Sequence, residues 1–200
     1  MALATALLAG CATRPAETPP ADPPALLDAA ISLADDPTCP RIAHIEVRKS
    51  ERRLVARCNP GPAVVMKVAL GREPVGAKTS KGDHRTPEGN YVVSGPATRN
   101  RFHRFIPIDY PSRRDADVAL ASGAITAAEH SRIVARRAHD RSPPQDTALG
   151  GGLGLHGEGP RWQGESAGID WTLGCIAVRD HEIDFLAQRV KVGTPVWIVP

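Results

Sequence analysis

Glycine and proline make up a large share of this chain, and that share limits the folds it can adopt. Of its 200 residues, 18 are glycine and 19 are proline, while only 4% are aromatic. Glycine is conformationally permissive and proline lacks a backbone N–H, so both interrupt long helices. The composition therefore disfavours a helical bundle. It predicts one globular domain of short elements and many turns, together with an extended segment.

The chain is mildly basic, with a formal net charge of +3 and a pI of about 8.8. Lysine and arginine are densest between Arg132 and Arg141, and no aromatic residues alternate with them. A nucleic-acid partner is therefore not expected. A basic face suits a polyanionic cell wall or a membrane surface, although a solvated helix face explains the same residues.

The N-terminal segment has the pattern of an export signal followed by a linker. Residues 1–10 are apolar and small, too short to span a bilayer and typical of the core of a signal peptide. Residues 8–11 (Leu-Ala-Gly-Cys) resemble the bacterial lipobox, which implies cleavage before Cys11 and lipidation of that cysteine; a chance cysteine is the alternative. Residues 11–24 are proline-rich and predict an extended linker. The resemblance implies a periplasmic protein anchored to the outer membrane through Cys11.

The other three cysteines each require a structural or chemical role, because an exposed free thiol is reactive in an oxidising compartment. Cys39 and Cys58 lie at the edges of the first predicted strand region, and a disulfide between them is expected. Two buried free thiols at these positions are the alternative. Cys175 then remains single and available for chemistry.

Alternating and apolar runs predict a mainly β domain. A hairpin is expected from strands at residues 42–48 and 53–57, followed by a more buried strand at residues 63–70. Later strands are predicted at residues 90–94, 105–110, 150–156, 176–178 and 195–199.

Helical periodicity is confined to three regions of the chain. Residues 25–34 predict a short helix, within a lead-in that spans residues 25–40. Residues 115–140 contain two helical stretches, which we interpret as an insertion in the β domain. Asp180 is the expected N-cap of a last helix, which runs to Val190.

The strongest chemical signal is a cysteine with a histidine upstream. Cys175 follows Gly174, whose missing side chain allows a bound carbonyl to approach the backbone closely. The N–H groups of these two residues are candidates for an oxyanion hole. His156 ends an extended segment, and its imidazole is suited to accept a thiol proton near neutral pH. A buried structural cysteine is the alternative reading of Cys175.

This pattern resembles the motif of the YkuD-type L,D-transpeptidases. In that family a histidine is followed, after a spacer, by Ser or Thr, then His, Gly, Cys and an apolar residue. The matching positions here are His156, Thr172, Gly174, Cys175 and Ile176.

Two upstream segments extend the resemblance to most of the chain, roughly residues 42–199. Residues 82–89 (Gly-Asp-His-Arg-Thr-Pro-Glu-Gly), with Tyr91, are similar to the family's strand-turn-strand signature. Residues 68–71 (Val-Ala-Leu-Gly) are similar to the same signature.

The resemblance implies a β-sandwich or barrel with short helices as the catalytic domain, over residues 41–200. It implies a cysteine acyltransferase of cell-wall biogenesis and cell shape, with no cofactor and no metal. Cys175 would attack the bond between the diamino acid and D-Ala of a peptidoglycan stem tetrapeptide, and an amine would accept the acyl group. His156 would be the base, oriented by the carbonyl of Gly157. A monomer is expected.

Two positions depart from the family pattern. Leu173 stands where the family has its second histidine, and Ala177 stands where an arginine is common. This form is similar to the YafK-like branch, which is linked to the release of wall-bound lipoprotein. A hydrolase that releases murein-linked lipoprotein or cross-links is therefore the alternative function, and a non-catalytic wall-binding lipoprotein is the second alternative.

Four residues near these motifs are candidates for substrate binding: Arg85, Tyr91, Trp171 and Thr172. For Trp171 the alternative is packing beside the site, and for Arg85 it is an ordinary turn residue. The histidines have no spacing typical of metal ligands, so no metal site is predicted.

Overall fold

The computed structural model describes most of the chain from Ile31 onward. The described residues are 31–33, 38–138, 142–162, 164–166 and 168–200. The predicted signal peptide, the linker and Cys11 lie outside these ranges. Within them, no helix is both long enough and apolar enough to cross a lipid bilayer.

Over these ranges the chain forms ten strands and three helices, and the predicted mainly β fold is confirmed. The elements are β1 (Ile31–Ser32), β2 (Ile42–Arg48), β3 (Arg53–Cys58), β4 (Ala63–Lys67), β5 (Gly89–Val92), β6 (Thr98–Asn100), β7 (His103–Pro107), α1 (Arg113–Ala121), α2 (Ala127–Ala138), β8 (Gly154–His156), β9 (Ile176–Ala177), α3 (Asp180–Arg189) and β10 (Pro195–Val199).

The first sheet has the strand order β1-β4-β3-β2-β10-β5. Its centre is the predicted hairpin, in which Ile45 and Val47 of β2 pair with Ala56 and Leu54 of β3. All four side chains are buried, because alternate residues of a strand point to the same face. Strand β10 lies between β2, to which it is parallel, and β5, to which it is antiparallel. The chain's last strand therefore joins the β2–β3 hairpin to the edge strand β5.

The second sheet, in the order β6-β7-β8-β9, brings the chemical residues together. Strands β8 and β9 are parallel, with Leu155 opposite Ile176 and His156 opposite Ala177. Cys175 immediately precedes β9, so this register places it level with Gly154 and close to His156. Both sheets contribute to one hydrophobic core.

Helices α1 and α2 are the two helices expected in the insertion. The hydroxyl of Ser112 accepts the N–H of Asp115, and the Asp115 carboxylate accepts the N–H of Ser112, which together form a capping box. Ala116 and Ala119 of α1 and Ile133 of α2 are buried in the main core. The helical pair is therefore packed into the β domain.

The prediction of a helix over residues 25–34 is wrong at Ile31 and Ser32. These two residues form a strand that pairs in parallel with Val64 and Val65 at the edge of the first sheet. Pairing with an open sheet edge outweighs weak helical periodicity in so short a segment. The remainder of the predicted helix lies outside the described residues, except for Leu33.

Several element boundaries also differ from the sequence prediction, and β6 was not predicted. Two of the differences have a clear structural cause. The strand predicted over residues 63–70 ends at Lys67, because the chain then crosses to the second sheet, where Ala69 pairs with Ala177. Arg179, and not Asp180, is the N-cap of α3. Asp180 is the first helical residue, and its carboxylate accepts the N–H of Gly159 at 2.9 Å.

A buried lysine fastens the long loop between β4 and β5 to the end of β2. Lys49 is only 2% exposed. Its ammonium group donates to the carbonyl oxygens of Gly76 (2.6 Å) and Thr86 (2.9 Å) and to Oε1 of Glu88 (2.8 Å). All three ammonium protons therefore have partners, which is the condition for burying this charge.

We expect Lys49→Met to lower the free energy of unfolding by about 2–4 kcal/mol, because it leaves a carboxylate and two carbonyl groups without their donor. Urea denaturation followed by circular dichroism measures the change. Lys67→Met, at an exposed position of β4, is the matched control and is expected to change stability by less than about 0.5 kcal/mol. Equal losses in the two variants would contradict this role of Lys49.

Candidate active site

Cys175 lies in a tight turn that its own neighbours stabilise. The Thr172 hydroxyl donates to the carbonyl oxygen of Cys175 at 2.7 Å and accepts the N–H of Gly174 at 3.1 Å. Gly174 has φ +129°, and a Cβ at this position would lie 2.7 Å from the carbonyl oxygen of Arg85. Only glycine fits here, because both the backbone conformation and the neighbouring loop exclude a side chain.

The sulfur of Cys175 is a protonated thiol at rest. The residue is half-buried, and its S–H donates to the carbonyl oxygen of Gly152 at 3.7 Å. Burial raises the pKa of this thiol to about 11, although the backbone N–H of Gly154 and the positive charge of Lys78 act in the opposite direction.

His156 is buried on β8 with its tautomer defined by one contact. Nδ1 lies 2.7 Å from the carbonyl oxygen of Gly157, and the residue is 2% exposed. A carbonyl oxygen only accepts, so Nδ1 carries the proton and Nε2 is left as an acceptor. Burial lowers the pKa of His156; the Gly157 contact opposes this shift and the charge of Arg101 adds to it. The imidazole is therefore neutral near pH 7.

Packing requires glycine at position 157, whose backbone carbonyl accepts the hydrogen bond from His156. A Cβ there would meet the carboxylate of Asp180 and lie 2.7 Å from the carbonyl oxygen of Phe102. The backbone that orients His156 is thus wedged between α3 and the β6–β7 turn.

Aromatic rings enclose the imidazole. The Phe102 ring stacks on His156 with centroids 4.5 Å apart, and Trp171 meets His156 edge-on at 5.5 Å. Trp171 also contacts Phe102 at 5.7 Å and Trp162 at 5.6 Å. These rings limit rotation of the imidazole and exclude water from it, which accounts for the burial that lowers its pKa.

A cavity of about 500 Å³ opens over the sulfur and the imidazole. Its lining residues are Asn100, Arg101, Phe102, Phe105, Gly152, His156 and Cys175. The structure thus brings the two predicted catalytic side chains to one cavity. Most of the other lining residues come from the hairpin β6–β7.

The four substrate-binding candidates are not among the residues that line this cavity. Thr172 is buried and its hydroxyl is used within the cysteine turn. Trp171 packs against the His156 ring, which agrees with the alternative of packing beside the site. Tyr91 is buried, and its hydroxyl lies 3.1 Å from the Asp115 carboxylate, so it holds α1. Arg85 supports Gly174 through its backbone, and its guanidinium lies beside Gly76.

The place of the Gly174 N–H in an oxyanion hole stays a prediction. That N–H donates to the Thr172 hydroxyl, so it is already satisfied. The N–H of Cys175 is the remaining candidate donor in the turn.

Sequence reasoning missed the β6–β7 turn, whose residues line the cavity. Asn100 and Arg101 are exposed and Phe102 is half-buried, and the sequence around them has no alternation, so nothing in the pattern distinguished them from a surface loop. The usable signal was short-range: Asn100 is a typical turn residue, and its carboxamide oxygen accepts the N–H of Phe102 at 2.8 Å.

Helix α3 holds this turn in position. Nε2 of His103 lies 2.8 Å from the Asp184 carboxylate, and the Arg104 guanidinium pairs with the same carboxylate. These two pairs lower the pKa of Asp184 against the opposing effect of its partial burial. The turn that covers His156 is therefore fixed to the same helix that supports Gly157.

The structure also contains a disulfide between Cys39 and Cys58, the pair expected from the sequence. Cys175 is the free cysteine of the described residues. Among those residues, no group of three or more His, Cys, Asp or Glu side chains is arranged to hold a metal ion.

The arrangement supports acyl transfer from a neutral pair. The raised pKa of Cys175 and the lowered pKa of His156 both favour thiol and imidazole over thiolate and imidazolium. Both residues line the same cavity, and a protonated thiol with a neutral imidazole is the pair that proton transfer during acyl transfer requires.

His156 and Cys175 thus line one cavity of a mainly β fold, next to the parallel β8–β9 pair. The family model of the YkuD L,D-transpeptidase catalytic domain matches residues 42–198. The chain belongs to this family, as its sequence motifs predicted. Assignment to the YafK-like branch stays a prediction.

Solved structures of low sequence identity are similar to this chain. The helical cell shape determining protein Pgp2 from Campylobacter jejuni (K307A mutant) is 19% identical, with a TM-score of 0.51 over 81% of this chain and 48% of Pgp2. An L,D-transpeptidase from Xylanimonas cellulosilytica is 14% identical, with a TM-score of 0.43 over 82% of this chain and 63% of that one. No curated protein sequence matches.

A third similar structure is the C442S mutant of the Enterococcus faecium L,D-transpeptidase. It is 16% identical, with a TM-score of 0.44 over 80% of this chain and 50% of the other. The present chain thus spans between 48% and 63% of the length of these three proteins.

We expect Cys175 to react slowly with iodoacetamide at pH 8, on the order of a hundredfold slower than a free cysteine, because only the thiolate is nucleophilic. The rate should rise with pH toward a midpoint near 11, the pKa to which burial raises the thiol. Mass spectrometry of the peptide containing Cys175 measures the rate at each pH. A midpoint at or below pH 8.5 would show a stabilised thiolate and contradict the neutral pair.

Trp171→Phe is expected to cost no more than about 1.5 kcal/mol of stability, because a ring is retained and the lost indole N–H is buried without a partner. Trp171→Ala is expected to cost about 2–4 kcal/mol, since it removes the ring contacts to Phe102, Trp162 and His156. Urea denaturation of both variants distinguishes the two sizes of effect. Equal losses of stability in the two variants would indicate that the indole N–H of Trp171, and not its ring contacts, accounts for the stabilisation.

Proposed function

We propose that this protein is a peptidoglycan L,D-transpeptidase in which Cys175 is the nucleophile and His156 the base. One observation supports the proposal most: in a domain of this family, His156 on β8 and the free Cys175 just before β9 line the same cavity. The substrate is a stem tetrapeptide, and the bond attacked joins its diamino acid to D-Ala.

In the first half-reaction the thiol of Cys175 gives its proton to Nε2 of His156 as the sulfur attacks the carbonyl carbon of the diamino acid. The N–H of Cys175 donates to the developing oxyanion. The bond between that carbon and the D-Ala nitrogen breaks, and the imidazolium returns the proton to the departing amine. A thioester remains on Cys175, and D-Ala is released.

In the second half-reaction an amine of a neighbouring stem attacks the thioester and gives its proton to His156. The carbon–sulfur bond breaks and the proton returns to the sulfur, so the enzyme is regenerated. With water as acceptor, the same second half-reaction releases a shortened stem. Release of a murein-linked lipoprotein requires Cys175 to attack the amide between the diamino acid and the lipoprotein amine, so that the lipoprotein leaves as that amine in the first half-reaction and water then hydrolyses the thioester. The hydrolase therefore differs from the transpeptidase in the acceptor and, for the lipoprotein, also in the leaving group.

We also propose that the protein works in the periplasm, held at the outer membrane by a lipid on Cys11. Two features support export. Residues 8–11 have the lipobox pattern, and a disulfide such as Cys39–Cys58 is typical of proteins in an oxidising compartment. The proline-rich linker over residues 11–24 would let the domain reach the wall.

We expect purified peptidoglycan treated with residues 25–200 to gain dimers joined between two diamino-acid residues, detected by mass spectrometry of the digested wall. Loss of cross-links or release of lipoprotein stubs, without new dimers, would identify the hydrolase. Cys175→Ala and His156→Ala are each expected to reduce turnover by at least about a thousandfold. Their circular dichroism should match that of the parent chain.

Full turnover in either variant would contradict the assigned roles. An unchanged wall, together with no acylation of Cys175 by a β-lactam, would instead favour the non-catalytic wall-binding lipoprotein.

A further inference from the structure

The cavity above Cys175 carries one charged lining side chain besides the catalytic pair, and it is Arg101. The other lining residues are Asn100, Phe102, Phe105 and Gly152, which carry no charge at any pH. A ligand that fills this cavity thus meets an apolar wall with a single fixed positive charge.

The position of Arg101 is well defined. Its guanidinium lies 4.7 Å from the centroid of the Phe102 ring, which itself stacks on His156. Its carbonyl group packs against Gly159, where a Cβ would lie 2.6 Å from the Arg101 oxygen. The charge is close enough to the imidazole to lower the pKa of His156. Stacking on the Phe102 ring and packing of the Arg101 backbone against Gly159 therefore hold the guanidinium near His156.

Arg101 has no carboxylate partner within the described part of the chain. The acidic residues that contact the hairpin, Asp180 and Asp184, face His103 and Arg104 instead. A guanidinium presents a planar set of N–H donors that matches the two oxygens of a carboxylate. An exposed arginine at a cavity, already stacked on a ring, loses little conformational entropy when it binds such a group.

We propose that Arg101 is the anion-recognition residue of this cavity, and that its guanidinium binds a carboxylate of the ligand and thereby places the neighbouring carbonyl at Cys175. The ligand class is a carboxylate-bearing peptide. This last point rests on the proposed function, whereas recognition of an anion at Cys175 does not.

The first test uses two alkylating reagents of similar size that differ in charge, iodoacetate and iodoacetamide. Both are attacked by the Cys175 thiolate, which forms a carbon–sulfur bond and releases iodide. In the parent chain at low ionic strength, Arg101 favours the anionic reagent. Arg101→Gln is expected to lower the rate ratio of iodoacetate to iodoacetamide by about fivefold, the size of one ion pair at contact in water. Arg101→Lys should retain part of the ratio.

Arg99→Gln is the matched control, because Arg99 is an exposed arginine of β6 that does not line the cavity. Its ratio should equal that of the parent chain. High salt should lower the parent ratio toward that of Arg101→Gln, since salt screens exposed charges. An unchanged ratio in Arg101→Gln, or an equal fall in Arg99→Gln, would overturn the proposal. The iodoacetamide rate itself shows in each variant that the site is intact.

The second test uses the stem tetrapeptide and the same peptide amidated at its C-terminus. Arg101→Gln is expected to raise KM for the free acid several-fold while kcat changes less. A rise confined to the acid identifies the terminal carboxylate, and a rise for both peptides identifies an inner one. An unchanged KM for both would overturn recognition of the peptide. If the parent chain turns over neither peptide, the proposed function fails, whereas the reagent ratio still decides the role of Arg101.

Discussion

The site depends on a short segment that joins the two sheets. After β4 the chain crosses from the first sheet to the second, where Ala69 pairs with Ala177 and Gly71 pairs with Thr172. Strand β9 has only two residues, so its parallel pairing with β8 would be weak without this second neighbour. The crossing segment thus determines where the turn before β9 lies, and with it the position of Cys175.

The long loop that follows this segment packs against the turn that contains Cys175. Lys49 fastens the loop at Gly76, Thr86 and Glu88, and the loop's backbone at Arg85 packs directly under Gly174. The charge buried at the end of β2 therefore supports the turn of the second sheet that contains Cys175. Such packing holds Cys175 and His156 in a fixed arrangement at one cavity.

Much of the fold and of the reactive pair could be predicted from the sequence. Alternation in β2 and β3 and the apolar run of β10 are local patterns that survive in the structure. The pairing of His156 with Cys175 rested on motif spacing. Two expectations differ from the structure because tertiary contacts override local patterns. Ile31 and Ser32, expected in a helix, pair with a sheet edge, and Tyr91, a substrate-binding candidate, turns inward to the capping box of α1. Arg101 and Phe102 belong to a short exposed turn with no periodic signal.

The sequence by itself determined the mainly β class, the family, the candidate nucleophile and base, and the glycine that the cysteine turn requires. These are properties of residue type and short-range spacing, which the chain carries before it folds. Only the tertiary structure decided the charge state of the pair and the lining of the cavity. Burial sets both pKa values, and burial arises when the β6–β7 turn, Trp171 and α3 close around His156. Those contacts join residues far apart in the chain, so no local pattern specifies them.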